Sequence, residues 1–348
     1  MDFDPTDSER EVALLAGQLL DEGKADAWKE LAQAGLLALS LPSELRGDGL
    51  GVLATAVLLT EVGRRAVHVP ALATLMTGVL PIVRWGSDDL RRTLLPAAGA
   101  GEMILTAGIR EPSNPLPRVP ETTVSAGTVS GTKLGVPYCA EAERVLLTVR
   151  FADGGTGVVI VRLAADGLSV TRTPSASGGP EYTLRLDRVP VEHVLGAADC
   201  LADLEALAVA GACCLADGAL SAALALTRDH VATRRQFGRP LATFQAVAQQ
   251  IADVYVASRT LHLATVSACW RLDAGRDTGP EAAGDVAVAG YWCAEQAPRS
   301  VRTCHHLHGG TGMDTTYPLH RFSALISDVV RSLGGAEYQL ERQACSSS

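Results

Sequence analysis

The sequence predicts an α+β fold, mostly α, in three successive parts: helices, a small antiparallel sheet or barrel, and a bundle of four long helices. Three observations carry it. Apolar residues recur at near-helical spacing up to about residue 100, short β-rich runs separated by Gly, Pro, Asp and Ser fill the middle, and Ala- and Leu-rich stretches dominate from residue 201. A chain of 348 residues that is 47% hydrophobic can bury a core of this extent. The expected parts are residues 1–103, 104–199 and 200–342, with residues 343–348 as a frayed tail.

At the amino end Thr6-Asp7-Ser8-Glu9 fits a capping box, and Val12, Leu14, Leu15, Leu19 and Leu20 follow on a helical face. A second helix is expected over residues 26–37. Turn residues from Pro42 to Gly49 interrupt the pattern, residues 53–62 resume it, and Pro70 suits a further helical start. Thr122-Thr123-Val124-Ser125, Val145-Leu146-Leu147-Thr148-Val149, Gly157-Val158-Val159-Ile160-Val161 and Tyr182-Thr183-Leu184-Arg185-Leu186 read as strands. The bundle helices are expected over residues 201–232, 243–275, 280–306 and 317–342.

Composition excludes several functions. Thirty basic against thirty-nine acidic residues give a net charge of -9, with no Lys/Arg-rich tract to neutralise a row of phosphates, so no nucleic-acid partner is expected. The acidic start lacks the form of a signal peptide, and no stretch reads as roughly 18 uninterrupted apolar residues; a cytoplasmic chain without a membrane partner is the expectation. The eight cysteines, including the adjacent Cys213 and Cys214, lack metal-ligand spacing and read as reduced, buried thiols. His305, His306 and His308 have no acidic or Cys partner at ligand spacing, so no metal is expected.

Arg234-Arg235-Gln236-Phe237-Gly238 reads by itself as a helix stop: cations suited to the negative end of the dipole, then a Gly for the left-handed terminal position, with Pro240 beyond. It belongs to a linked set. Phe244-Gln245 follows, and His306-Leu307-His308-Gly309-Gly310-Thr311-Gly312 comes far downstream, leading into Tyr317-Pro318 and Arg321. This ordered combination resembles the carboxy-terminal domain of acyl-CoA dehydrogenases, and the resemblance extends over the whole chain. It implies the acyl-CoA dehydrogenase fold and an FAD whose adenine and diphosphate end is contacted by Arg234, Gln236, Phe237 and Gln245, with His306, Leu307, His308, Gly309 and Gly310 forming the second segment. Forked guanidinium donors suit phosphate, and Gly-Gly lets backbone come close. His306 stands where the family commonly has Gln.

The other half of the implied active site is missing. The family's chemistry needs a carboxylate base to remove the α-proton of an acyl-CoA, and loss of a positioned base costs about 10²–10⁴-fold. Counting from Tyr317-Pro318 puts the family's Glu at Leu333, and the upstream alternative falls at about Ala208, neither of them acidic. Glu205 is nearest, with an expected place in the first turn of its helix. The loop that binds the flavin ring is replaced by Ser113-Asn114-Pro115-Leu116-Pro117, and Lys133-Leu134-Gly135-Val136-Pro137 lacks the family's Trp and Thr.

What the subunit would use on its own flavin ring is gone, while what it would offer a neighbour's FAD remains. The resemblance is therefore to the smaller, base-lacking subunit of actinobacterial α2β2 steroid side-chain acyl-CoA dehydrogenases of cholesterol catabolism. It implies a homologous larger partner that supplies the Glu, binds most of the acyl-CoA and shares the FAD, together with an electron acceptor that reoxidises it. The expected reaction is α,β-dehydrogenation of a steroid-CoA side chain three carbons long, with no catalytic residue in this chain. Two alternatives stay open: a self-sufficient homo-oligomer with a relocated base, Glu205 or Asp217, and a flavin-free scaffold subunit.

Overall fold

The computed structural model describes residues 3–21, 26–273 and 280–346. The capping box at the start is real: the Thr6 amide donates to Glu9 Oε2 (2.7 Å) and the Glu9 amide to Thr6 Oγ1 (3.3 Å), opening α1 (Asp7–Asp21). Leu14, assigned above to its apolar face, is 65% exposed. The second helix is shorter than its pattern, α2 (Ala27–Gln33), because the chain turns at Gly35 with φ 79°. Next come α3 (Gly51–Arg65), a rod beginning as π-helix (Leu72–Val79) and continuing as α4 (Leu80–Trp85), and α5 (Asp88–Gly99).

The middle part forms one sheet from β1 (Leu105–Gly108), β2 (Thr123–Ser125), β3 (Thr128–Pro137), β4 (Arg144–Phe151), β5 (Thr156–Arg162), β6 (Leu168–Thr173), β7 (Glu181–Pro190) and β8 (His193–Gly196). Along the order β6-β7-β3-β2-β4-β5-β8 the pairing is antiparallel except for β2 with β4, and β1 also joins β4 in parallel. The apolar runs of β4 and β5 do not alternate with polar residues because both faces are covered. Leu146, Val158 and Ile160 face the helical core, while Val145, Leu147, Val149, Val159 and Val161 face a second core inside the sheet. Between the layers Lys133 Nζ pairs with Glu111 Oε1 (2.7 Å) and donates to Thr148 Oγ1 (2.8 Å). Burial brings this ammonium down to about 8.

The bundle holds α6 (Ala198–Thr233), a two-strand hairpin of β9 (Arg235–Gln236) and β10 (Arg239–Pro240), then α7 (Gln245–Asp273), α8 (Pro280–His308), α9 (Leu319–Leu333) and α10 (Ala336–Ser346). The last run expected as one helix is two, since Gly334 and Gly335 take φ 81° and 86°. Residues 343–346 of the expected tail are helical; its last two residues, and positions 274–275 of the expected second bundle helix, lie outside the described residues.

The apolarity of α6 is explained by its place at the centre, packed by α3, α7, α8 and α9. By length and composition, with a window of mean hydropathy 1.8, it could cross a membrane, although Asp203, Glu205 and Asp217 interrupt its apolar run; 78% of that window is buried within the fold. Among the residues whose side chains are described, seven cysteines are free and buried.

Candidate functional site

The motif residues gather at one end of the bundle, where α6 and α8 finish and α7 begins. The helix stop read from Arg234–Gly238 is different in form. Helix α6 ends at Thr233, Arg234 is extended, and Gly238 sits in a two-residue turn between β9 and β10, whose register pairs Gln236 with Arg239. Phe237 and Gly238 take φ 52° and 80°, the positive pair of a type I′ turn, whose twist matches that of the strands. A left-handed conformation is uncommon for an aromatic, and this one holds the ring out at 90% exposure, edge-on to Phe244 at 6.2 Å. Arg239 lies over the face of Phe244, 4.0 Å from its centroid.

Arg234, Gln236 and Gln245 are exposed, and no hydrogen bond or ion pair within the described residues engages their side chains. Gln245 opens the 29-residue α7, so the positive end of that helix dipole adds to the cationic hairpin. Across the bundle end, His306 is exposed, and a Cβ placed on Gly309 or Gly310 would meet nothing within 4 Å; their backbone is open to close approach.

Leu307 and His308, expected beside them as cofactor contacts, differ in that both side chains face inward, 8% and 4% exposed. His308 Nδ1 meets Cys304 O at 2.8 Å, its Nε2 meets Tyr317 Oη at 3.0 Å, and its ring stacks on His230 at 4.4 Å. They are anchors. The stack ties the end of α6 to the end of α8 and so holds the hairpin and the Gly-Gly turn beside one another. Burial lowers both histidines, and each is lowered further by a neighbouring imidazole, His308 acting on His230 and His305 on His308.

The chemistry of this donor set fits the diphosphate and adenine end of FAD: a forked cation and two amides not engaged elsewhere, a helix amino terminus, bare glycine backbone and an exposed aromatic.

The two positions at which the resemblance implies a base lie in a different place. Leu333 from α9 and Ala208 from α6 line one cavity between bundle and sheet, together with Arg110, Leu134 and Pro115. Its volume is about 120 Å³. That is below the roughly 150 Å³ of an apolar cavity that holds one benzene ring, and far below the several hundred Å³ of a ligand site. The replaced loop helps to close it, since Pro115 packs on Gly334 and Leu116 joins the wall.

One acid lines this cavity among the described residues: Glu181, which no sequence argument singled out. Its carboxylate is clamped by Arg331 through two bonds of 2.7 and 2.6 Å. The sequence signal was absent because Glu181 reaches the cavity by strand pairing, opposite Pro137. Arg331 also contacts Asp328, which accepts from the amides of Ala176 and Ser177, each at 2.8 Å, so α9 is latched to the sheet on the side where the base would stand.

Neither acid weighed as a relocated base reaches this cavity. Glu205 is not in the first turn of its helix, which starts seven residues earlier at Ala198; it is buried against Arg342 at 2.9 Å. Asp217 is buried beside His262 Nδ1 at 2.8 Å. Among the described residues no cluster of three or more His, Cys, Asp or Glu is arranged to hold a metal ion.

Helical part, sheet and bundle in this order define an acyl-CoA dehydrogenase-type protein, and the chain belongs to the acyl-CoA dehydrogenase family. Residues 8–102 match the family's N-terminal domain and residues 203–341 its C-terminal domain. The chain is similar to acyl-CoA dehydrogenase FadE28 of Mycobacterium tuberculosis, 44% identical over 350 residues that cover 98% of this chain and 97% of that protein. It is similar in structure to the ChsE4–ChsE5 complex of the same organism, with a TM-score of 0.92, 29% identity and coverage of 99% and 98% of the two chains. A variant of the Tcur3481–Tcur3483 steroid ACAD superposes with a TM-score of 0.90 at 32% identity, covering 97% of each chain.

Proposed function

We propose that this chain is the non-catalytic subunit of a heteromeric, FAD-dependent acyl-CoA dehydrogenase, in which it holds the adenine and diphosphate end of a flavin shared with a homologous, larger subunit. The observation that carries the proposal is an asymmetry. Arg234, Gln236, Phe237 and Gln245 are exposed at the bundle end, the three polar side chains without a partner among the described residues, while the cavity at Leu333 and Ala208 is too small for a flavin ring and its one acid is clamped. When bound, FAD supplies the hydride acceptor; this chain's residues bind and orient it, and the partner supplies the base, most of the acyl-CoA site and the contact with the electron acceptor. The likeness to two two-component complexes, one of them described as a steroid ACAD, supports an α2β2 assembly acting on the side chain of a steroid-CoA thioester, with a three-carbon side chain as the favoured substrate.

The chain expressed alone is expected to be almost free of flavin and inactive, and co-expression with its partner to yield one FAD per heterodimer and turnover. Stoichiometric flavin and turnover from the chain alone would overturn the proposal. The second reading, a self-sufficient enzyme, now rests on Glu181 rather than Glu205 or Asp217, because Glu181 alone of the three lines the cavity. Glu181→Gln separates the readings: a base would cost about 10²–10⁴-fold in turnover, whereas the subunit proposed here leaves turnover of the complex within about twofold.

A further inference from the structure

A second cavity, of about 230 Å³, lies among α1, α3, α6 and α7 and shares no lining residue with the one at Leu333. Its apolar wall comes from Ala13 on α1, from Leu53, Ala56 and Val57 on α3, and from Val266 and Trp270 on α7. Asp217 and His262 bring polar atoms to the same wall. The Asp217 side chain is 5% exposed and its Oδ2 meets His262 Nδ1 at 2.8 Å. A carboxylate only accepts, so Nδ1 carries the proton of that bond and the neutral ring presents Nε2 as a bare acceptor. The His262 side chain is 35% exposed, and Nε2 keeps open surface with no partner among the described residues.

We propose that this cavity is a binding site for a small, uncharged phenol, whose hydroxyl donates to His262 Nε2 and whose ring packs against the apolar wall. Three features select this guest. The charged residues of the wall are engaged elsewhere: Glu9 accepts from the Thr6 amide, Arg10 pairs with Asp7, Glu61 pairs with Arg64 and Arg65, and Asp4 has a partner of its own. No charge is left over to neutralise an ionic guest, which would lose its hydration without compensation. The imidazole held by Asp217 asks for a donor, and Trp270 offers an aromatic ring a flat neighbour. The volume is about one and a half times that of an apolar cavity that holds benzene, which sets the body at one ring with a short alkyl group.

Helices α1 and α3 belong to the amino-terminal part and α6 and α7 to the bundle, so an occupant is gripped by both and stabilises their packing. This inference does not depend on the subunit role proposed above.

Calorimetric titration of the purified full chain with 4-ethylphenol, against 4-ethylanisole, in which a methyl group replaces the donated hydrogen, tests it. The expected result is saturable binding of 4-ethylphenol and binding of the ether about tenfold weaker or less. In the double variant Asp217→Leu with His262→Phe, which removes carboxylate and imidazole together and keeps a ring at 262, the two probes should bind alike. The imidazole proton resonances of His262, identified by their loss in that variant, should move in the parent chain in step with the calorimetric saturation. Val57→Trp, at a half-buried wall position, fills the cavity and should abolish binding of both probes. Absence of binding to the parent chain, with water as the only occupant, would overturn the proposal, as would unmoved His262 resonances, a preference for 4-ethylphenol that survives in the double variant, or binding that survives in Val57→Trp.

Discussion

Arg234 and Leu333 hold the two ends of the functional argument at the scale of single residues. Arg234 is an exposed guanidinium with no engagement among the described residues, so its removal should barely touch folding. Arg234→Ala in the co-expressed complex is expected to weaken FAD retention roughly ten- to hundredfold, the worth of a hydrogen bond to a charged group, read as flavin per protein after gel filtration. A flavin-free scaffold would show no change. Leu333 is 2% exposed and packed in the small cavity. Leu333→Glu restores the family's carboxylate, but Arg331 beside it is already committed to Glu181 and Asp328. The expected outcome is a loss of about 3 kcal/mol or more in stability and no dehydrogenase turnover by the chain alone, checked by thermal unfolding and a dye-reduction assay.

At the scale of elements, the β9–β10 hairpin is built for presentation rather than for stability. Phe237 occupies a left-handed turn position that glycine takes without strain, and its ring is almost wholly exposed. Phe237→Gly should therefore leave the thermal midpoint of the chain unchanged or raised while lowering flavin retention in the complex; a lowered midpoint would show the ring to be structural. The His230–His308 stack makes a pH prediction for the ends of α6 and α8. Both histidines are lowered from their ordinary value of 6.5, so the folded protein keeps them neutral where the unfolded chain takes up protons. Stability from the stack is complete above that value and is lost as pH falls below it towards the folded values. Amide exchange at the ends of α6 and α8 should rise across that interval, and His308→Gln should flatten the dependence.

For the whole molecule, the latch between α9 and the sheet and the shared bundle end describe a subunit closed on one side and open on the other. The cavity at Leu333 is narrowed by side chains from the loop after Pro112, from β7 and from α9, three segments far apart in the chain. The bundle end is unsealed, with Phe237 and Met313 at 90% and 79% exposure. Apolar groups of that size facing water on one rim fit a surface completed by cofactor and partner.

The three-part architecture was legible in the sequence because its signals are local: the capping box at Thr6, the Ala- and Leu-rich period of α6 to α8, and the β-rich runs of β4 and β5 each act within a few residues of themselves. So were the absence of an acid at Leu333 and Ala208 and the clustering of Arg234, Phe237 and Gln245, which are facts of residue type and order. Long-range geometry decided the rest. Glu181 entered the cavity through strand pairing, His308 turned inward because a histidine on the neighbouring helix end was there to stack on it, and Glu205 met an arginine that lies 137 residues away along the chain. A residue's type can be read where it stands, but its partners are fixed only when packing brings distant segments within a few ångströms, and it is those partners that set whether a carboxylate or an imidazole is free to act.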